Sequence, residues 1–214
     1  MILVVDNAVE GGHMAGEVAR LLPDADVEMH DYPNGASDPS LDGVDGVVLG
    51  GSGCGVYDEP DQPWIGRQKR FVGTVLDEGV PLLGICFGHQ LVNAALGGTV
   101  VDGGESRNHL VEASLADVPL FEGVEPVVPV LHSDVVTEPG EGMDVVGTTD
   151  YNDYFATRHR ERPVWTVQYH PEFTPAIRPE YDAVWEESER SLEESTATRT
   201  LANFSRFCRH ESGE

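Results

Sequence analysis

The chain has 214 residues, 40% of them hydrophobic, with 38 Asp plus Glu against 13 Lys plus Arg and a net charge of −25. That length suits one domain spanning 1–214, or a domain with a small annex, and the apolar content excludes disorder throughout. The acids are dispersed rather than run together as a tail, so the surface repels nucleic-acid phosphates and anionic membranes, and neither is expected as a partner.

Ile2 to Val5 is an apolar run that predicts a buried strand. His13 to Leu22 follows with helical spacing, Met14, Val18, Leu21 and Leu22 forming its stripe. Val27 to Tyr32 and Gly46 to Leu49 read as the second and third strands, and the third runs into Gly50-Gly51-Ser52-Gly53-Cys54-Gly55. Pro63 suits the first position of a helix whose buried face carries Trp64, Phe71, Val72, Val75 and Leu76. Pro81 to Ile85 is the next strand, and Gln90 to Leu96 belongs to the helix behind it. Strands alternating with helices predict an α/β fold with a mainly parallel sheet and helices on both faces.

The second half changes character. Val111 to Leu115, Val127 to Val136, Val145 to Thr149, Tyr154 to Arg158 and Val164 to Tyr169 read as strands separated by turns, a small antiparallel annex. Pro179 to His210 is helical in pattern and ends with Leu201, Phe204, Phe207 and Cys208 on one apolar face.

Chemistry concentrates at Gly84-Ile85-Cys86-Phe87-Gly88-His89-Gln90. An apolar strand ends at a cysteine with glycine two residues to either side, and a helix follows at once. Glycine tolerates the close approaches of a sharp strand-to-helix turn, and such a turn lifts the central side chain out of the sheet. It also places a thiol at a helix N-terminus, where the partial positive charge favours the thiolate. Cys86 therefore reads as a nucleophile.

A thiol nucleophile needs a base, and the base needs an orienting group. His170 lies at the end of an apolar strand in Gln168-Tyr169-His170-Pro171-Glu172. Residues two apart in extended chain face the same way, so Glu172 is placed to orient the His170 imidazole. The backbone N–H of Phe87, just after the nucleophile, and that of Gly51 are the expected oxyanion donors. The loop at Gly50–Gly55 spells no G-x-G-x-x-G, so a dinucleotide fingerprint is excluded there.

Together, Gly84-Ile85-Cys86-Phe87-Gly88-His89-Gln90, Gly50-Gly51-Ser52 and Tyr169-His170-Pro171-Glu172 resemble the class I, triad-type glutamine amidotransferases over nearly the whole chain. Within that family the likeness is nearest to the amidotransferase domain of GMP synthase and its stand-alone relatives. Gly55-Val56-Tyr57-Asp58-Glu59 and His132-Ser133-Asp134 resemble segments found there. The resemblance implies a flavodoxin-like fold and hydrolysis of the glutamine side-chain amide through a thioester. Cys86 would attack, His170 would move the proton, Glu172 would orient His170, and Gly51 and Phe87 would hold the oxyanion. Gln90, Gly53 and His132 would contact the substrate. Ammonia would pass to a separate ATP pyrophosphatase-type synthetase converting XMP to GMP, with ATP and Mg on that partner and no cofactor in this chain. Ser52 stands where the family usually has Pro, Phe87 where Leu is commoner, and Gly103 to His109 departs from the GMP synthase pattern. Two other readings keep the fold. One is a stand-alone γ-glutamyl hydrolase or peptidase with the same triad, and the other a non-catalytic regulatory subunit.

The remaining candidates have structural readings. His89, on the helix after the turn, is expected to be structural, Cys54 a small filler and Cys208 core. His132 with Asp134 lacks a third ligand, so no metal site is expected. Arg158, His159, Arg160 and Arg162 form the one basic cluster and read as a solvated hairpin. Three cysteines without a pairing pattern, no basic leader and no long apolar span predict a cytoplasmic protein. The dense carboxylates resemble those of salt-accumulating halophiles and predict weaker folding at low salt.

Overall fold

A computed structural model of the protein describes residues 1–9, 14–35, 37–186, 188 and 190–211. The first half alternates as expected: β1 (Ile2–Asp6), α1 (Met14–Leu21), β2 (Val27–Asp31), β3 (Gly46–Leu49), α2 (Pro63–Glu78), β4 (Leu82–Ile85) and α3 (Phe87–Ala95). His13, the expected start of the first helix, lies outside the described residues. The second half contains β5 (Thr99–Arg107), β6 (Leu110–Glu112), β7 (Ser114–Leu115), β8 (Val127–Pro129), β9 (His132–Glu138), β10 (Met143–Thr148), β11 (Ala156–His159), β12 (Val164–Val167) and α4 (Arg199–Glu211).

Eight strands form the main sheet in the order β2-β1-β3-β4-β12-β11-β10-β7. Neighbours from β2 to β12 run parallel, and those from β12 to β7 run antiparallel. A strand covered on both faces needs apolar residues in unbroken sequence, and β1 shows why. Ile2 and Val4 pack in one core with Ala15 and Val18 of α1 and Leu201, Phe204 and Cys208 of α4. Leu3 and Val5 point the other way, into a core with Ile65, Phe71 and Val72 of α2 and Leu91 and Val92 of α3. Cys208 sits so close to the sheet that a Cβ on Gly46 would come within 2.4 Å of its Sγ. Burial pushes that thiol up to about 12, as suits a core cysteine. Phe207, expected on the same face, is only half-buried. Among the described residues no helix is long and apolar enough to cross a membrane.

Four expectations need correction. Val111 to Leu115 is two strands in different sheets, β6 pairing β8 and β7 pairing β10. Val127 to Val136 likewise divides into β8, which pairs with β6, and β9, which pairs with β5. β5 was not anticipated, since Asp102-Gly103-Gly104-Glu105 reads as a turn. It pairs with β9 around an irregularity between Asp102 and Arg107, with Gly104 at φ 73° and Gly103 against the Ser133 carbonyl. Among the described residues of Pro179 to His210 only α4 is α-helix, with short 3₁₀ turns at Arg178–Tyr181 and Leu192–Glu194 before it.

The parallel half positions the site. β3, β4 and β12 are neighbours, with Leu49 opposite Gly84 and Ile85 opposite Val167. Their carboxyl ends carry the glycine loop, Cys86 and the His170 segment, and such strand ends form the natural ligand crevice of an open α/β sheet.

Candidate active site

The turn from β4 to α3 is as tight as the glycine spacing requires. A Cβ on Gly84 would lie 2.6 Å from the Gly88 carbonyl oxygen, and one on Gly88 would lie 2.3 Å from that of Leu49. Neither position admits a side chain. Cys86 between them takes φ 52° and ψ −106°, a conformation that costs a non-glycine residue about 1–3 kcal/mol. α3 starts at the next residue, so the N–H of Phe87 has no intrahelical acceptor and the positive end of the helix favours negative charge beside the sulfur. The Cys86 Sγ lies 3.6 Å from the Leu131 carbonyl oxygen and 3.7 Å from Gln168 Nε2.

The His170 segment continues the line of β12. The His170 N–H donates to the Pro129 carbonyl at 2.9 Å, tying the segment to β8. Its Nδ1 donates to Glu172 Oε1 at 2.7 Å, with His170 4% exposed and Glu172 fully buried. Among the described residues Nε2 has no hydrogen-bond partner. Burial opposes the imidazolium, but the charges of Cys86 and Glu172 outweigh it and hold His170 well above its ordinary value. Gly51 closes the arrangement: a Cβ there would lie 3.1 Å from His170 Cε1 and 3.9 Å from Cys86 Cβ. The structure thus brings together Cys86, His170, Glu172, Gly51 and Phe87, the residues expected from the sequence to serve as nucleophile, base, orienting carboxylate and oxyanion donors.

Gln168 escaped the sequence reading. It is fully buried, donates from Nε2 to the Cys86 sulfur, and accepts from Gln90 Nε2 at 3.3 Å. The alternation that paired His170 with Glu172 also puts Gln168 on their face, so the signal was present.

Cys86 lines two clefts. The first, of about 340 Å³, is walled by the glycine loop, Tyr57, Gln90, Ser106, Asn108 and Asp134. Tyr57 donates to Asp134 Oδ1 at 3.0 Å. Burial raises the Asp134 carboxyl, and the hydrogen bonds from Tyr57 and Ser133 oppose that shift. Gln90 lines this cleft with its amide nitrogen held by the Asp134 carbonyl at 3.2 Å, and Gly53 lines both clefts. His132 lines it too, but both ring nitrogens are engaged. Nδ1 donates to the Asp134 carbonyl and Nε2 accepts from the Tyr151 hydroxyl, each at 3.0 Å. Burial pushes His132 down to about 4, so it is neutral near pH 7. The second cleft, of about 210 Å³, is lined by His170, Asp6, Ala8, Met14, Ala15 and Tyr181 besides the residues it shares.

The other candidates fall as follows. His89 is fully buried, with Nδ1 2.7 Å from Thr166 Oγ1, and burial pushes it down to about 3. Cys54, expected as filler, lines the first cleft. Arg158 stacks on Trp165 at 4.5 Å, Arg160 pairs with Asp144 at 2.8 Å, and Arg162 donates to the Leu76 carbonyl at 3.0 Å. The basic cluster is thus held by its own hairpin and neighbours. Among the described residues no group of three or more His, Cys, Asp or Glu is arranged to hold a metal ion.

The family model of class I glutamine amidotransferases matches residues 5–181. The chain is 33% identical over 175 residues to a glutamine-hydrolysing GMP synthase of Corynebacterium glutamicum (strain R), covering 80% of this chain and 32% of that protein. It is 34% identical over 171 residues to a glutamine-hydrolysing GMP synthase of Pyrobaculum aerophilum, covering 76% of this chain and 31% of that protein. The chain therefore spans about a third of the length of these relatives. A solved glutamine amidotransferase of Thermotoga maritima matches with a TM-score of 0.75 at 20% identity, over 96% of this chain and 95% of that one. At that identity the likeness shows the fold.

Proposed function

The chain belongs to the class I glutamine amidotransferases, and on that premise we propose that it hydrolyses glutamine to glutamate and ammonia through a thioester on Cys86. The Cys86 proton passes to His170, and Sγ attacks the side-chain carbonyl carbon. The oxyanion forms against the backbone N–H groups of Gly51 and Phe87. His170 Nε2 then protonates the amide nitrogen, the C–N bond breaks, and ammonia leaves. Water, deprotonated by the same nitrogen, attacks the thioester, and glutamate departs as the C–S bond breaks. Glu172 keeps Nε2 directed at the reacting atoms and stabilises the imidazolium.

The observation that carries this reading is the buried 2.7 Å pair of His170 and Glu172, set with Gly51 against the strained Cys86 turn. The first cleft supplies what the rest of glutamine needs. Asp134 offers a carboxylate to the α-ammonium group, and Ser52, Ser106 and Asn108 offer donors to the α-carboxylate. Gln90 and Gln168 form the floor beside the sulfur.

The ammonia goes to a separate synthetase that makes GMP from XMP, with ATP and Mg²⁺ bound there. Support comes from relatives that are glutamine-hydrolysing GMP synthases, of which this chain matches about a third. The test is ammonia release from glutamine in molar salt, with and without the host's GMP-forming synthetase, ATP, Mg²⁺ and XMP. Release by the wild type, its loss in Cys86→Ala, and stimulation by the synthetase are expected. Full activity in Cys86→Ala contradicts the mechanism, and indifference to the synthetase contradicts the acceptor.

A further inference from the structure

The two backbone oxyanion donors are fixed in different ways. The N–H of Phe87 belongs to the first residue of α3, so the helix sets its direction. The N–H of Gly51 lies in a loop, in the peptide that joins Gly50 to Gly51. Neither residue carries a Cβ, so the backbone on both sides of that peptide is loosely restrained and the plane can turn over. An N–H turned away from Cys86 would no longer serve an oxyanion there.

Two hydrogen bonds hold this peptide from the β1 side. The Gly50 N–H donates to the Val5 carbonyl at 3.0 Å, just beyond the point where Val5 pairs with Leu49. The Gly50 carbonyl accepts from Asn7 Nδ2 at 3.1 Å. The second bond bears directly on the donor, because the Gly50 carbonyl and the Gly51 N–H share one peptide unit. In a trans peptide they point in opposite directions across a rigid plane. Holding the oxygen toward Asn7 therefore holds the N–H away from it, at a residue whose Cβ would lie 3.1 Å from His170 Cε1 and 3.9 Å from Cys86 Cβ.

Asn7 is itself held. It follows β1 directly and is fully buried, as is Gln68 of α2, which donates from Nε2 to Asn7 Oδ1 at 2.7 Å. An amide whose oxygen accepts from Gln68 presents its nitrogen to Gly50. Turned over, it would set oxygen against the Gly50 carbonyl and nitrogen against the Gln68 nitrogen. Neither residue lines the clefts beside Cys86. We propose that Asn7 and Gln68 are positioning residues for glutamine hydrolysis: Gln68 sets the Asn7 amide, and Asn7 pins the Gly50–Gly51 peptide with its N–H toward the oxyanion. The inference rests on the reading of Gly51 as an oxyanion donor.

The test joins steady-state hydrolysis of L-glutamine in molar salt to alkylation of Cys86 by iodoacetamide. Alkylation displaces iodide at a saturated carbon and forms no oxyanion, so it needs the sulfur but not Gly51. Asn7→Leu keeps the side-chain volume and deletes the donor. It is expected to lower kcat about 10–100-fold, less than outright loss of an oxyanion donor. KM and the alkylation rate should stay within about twofold, as for an interaction made only in the transition state. Gln68→Met should lower kcat by about 3–10-fold in the same pattern, and the double variant should be no slower than Asn7→Leu, because both act through one peptide. Unchanged kcat in either single variant, an alkylation rate that falls in step with kcat, or losses that multiply in the double variant overturns the proposal. Should Asn7→Leu fail to fold, Gln68→Met decides by the same readouts. A wild type alkylated at Cys86 that releases no glutamate refutes the glutaminase reading and this inference with it, whereas equal activity in wild type and variants refutes the role of Asn7 and Gln68 alone.

Discussion

Two histidines flank Cys86, and the protein holds them in opposite states. His132, in the wall of the polar cleft, is pushed down to about 4 by burial and keeps a neutral ring between the Asp134 carbonyl and the Tyr151 hydroxyl. His170, on the other side, is more deeply enclosed yet lies well above its ordinary value, because Cys86 and Glu172 contribute charge that burial alone lacks. Burial without a charged partner makes a rigid, neutral wall, and burial with one makes a store for a proton. The polar cleft is thereby suited to hold a substrate and the other to move a proton.

Breaking the division on the proton side has the largest expected effect. Glu172→Gln should lower kcat for glutamine by about 10²–10⁴-fold while KM changes little, since ring orientation and imidazolium stabilisation are lost together. With the carboxylate charge gone, His170 gives up its proton at lower pH. The alkaline limb of the kcat/KM profile should therefore shift downward, which rate measurements from pH 5 to 10 will show. A raised KM with an unmoved alkaline limb would merge the two sides.

On the binding side, Asp134→Asn should raise KM for glutamine about 10–100-fold with kcat held within a few-fold, as for an interaction made equally in ground and transition states. A shift in the alkaline limb of that variant would contradict the division. The neutral histidines can also be tested by stability. His89 and His132 are held at about 3 and about 4 in the folded chain, against about 6.5 when unfolded. Between those values the unfolded chain binds more protons, so acid favours unfolding. Each histidine should remove about 1.4 kcal/mol per pH unit as pH falls below about 6.5 toward its folded value. ¹⁵N-histidine spectra at pH 5 should show both rings neutral and His170 charged. A smaller effect acts on the whole chain. We read the net charge of −25 as an adaptation to high salt, and predict a melting temperature several degrees lower in millimolar than in molar KCl. Equal values would remove that reading.

The central strands of the parallel half were legible because each is a short apolar run beside glycine or proline, as at Gly46–Leu49 and Leu82–Ile85. The Cys86 turn was legible for a related reason, since Gly84 and Gly88 sit where the backbone leaves no room for a Cβ. Alternation placed His170 beside Glu172 and would have placed Gln168 as well. The second half resisted because its strands are interrupted by chemistry that mimics turns. Gly103 and Gly104 lie inside β5, and Pro129 ends β8 within one continuous apolar run. The polar cleft depends on that half, so Tyr57 against Asp134 and the engagement of both His132 nitrogens follow only from the folded β5–β9 pair.

The central claim is that Cys86 is the sulfur that attacks a glutamine-like carbonyl. Intact-mass measurement after incubation with 6-diazo-5-oxo-L-norleucine, an electrophilic glutamine analogue, tests it most directly. One adduct, mapped to Cys86, suppressed by excess glutamine and absent in Cys86→Ala, is the predicted result. An unmodified Cys86, or an adduct on Cys54 that glutamine does not suppress, would contradict it.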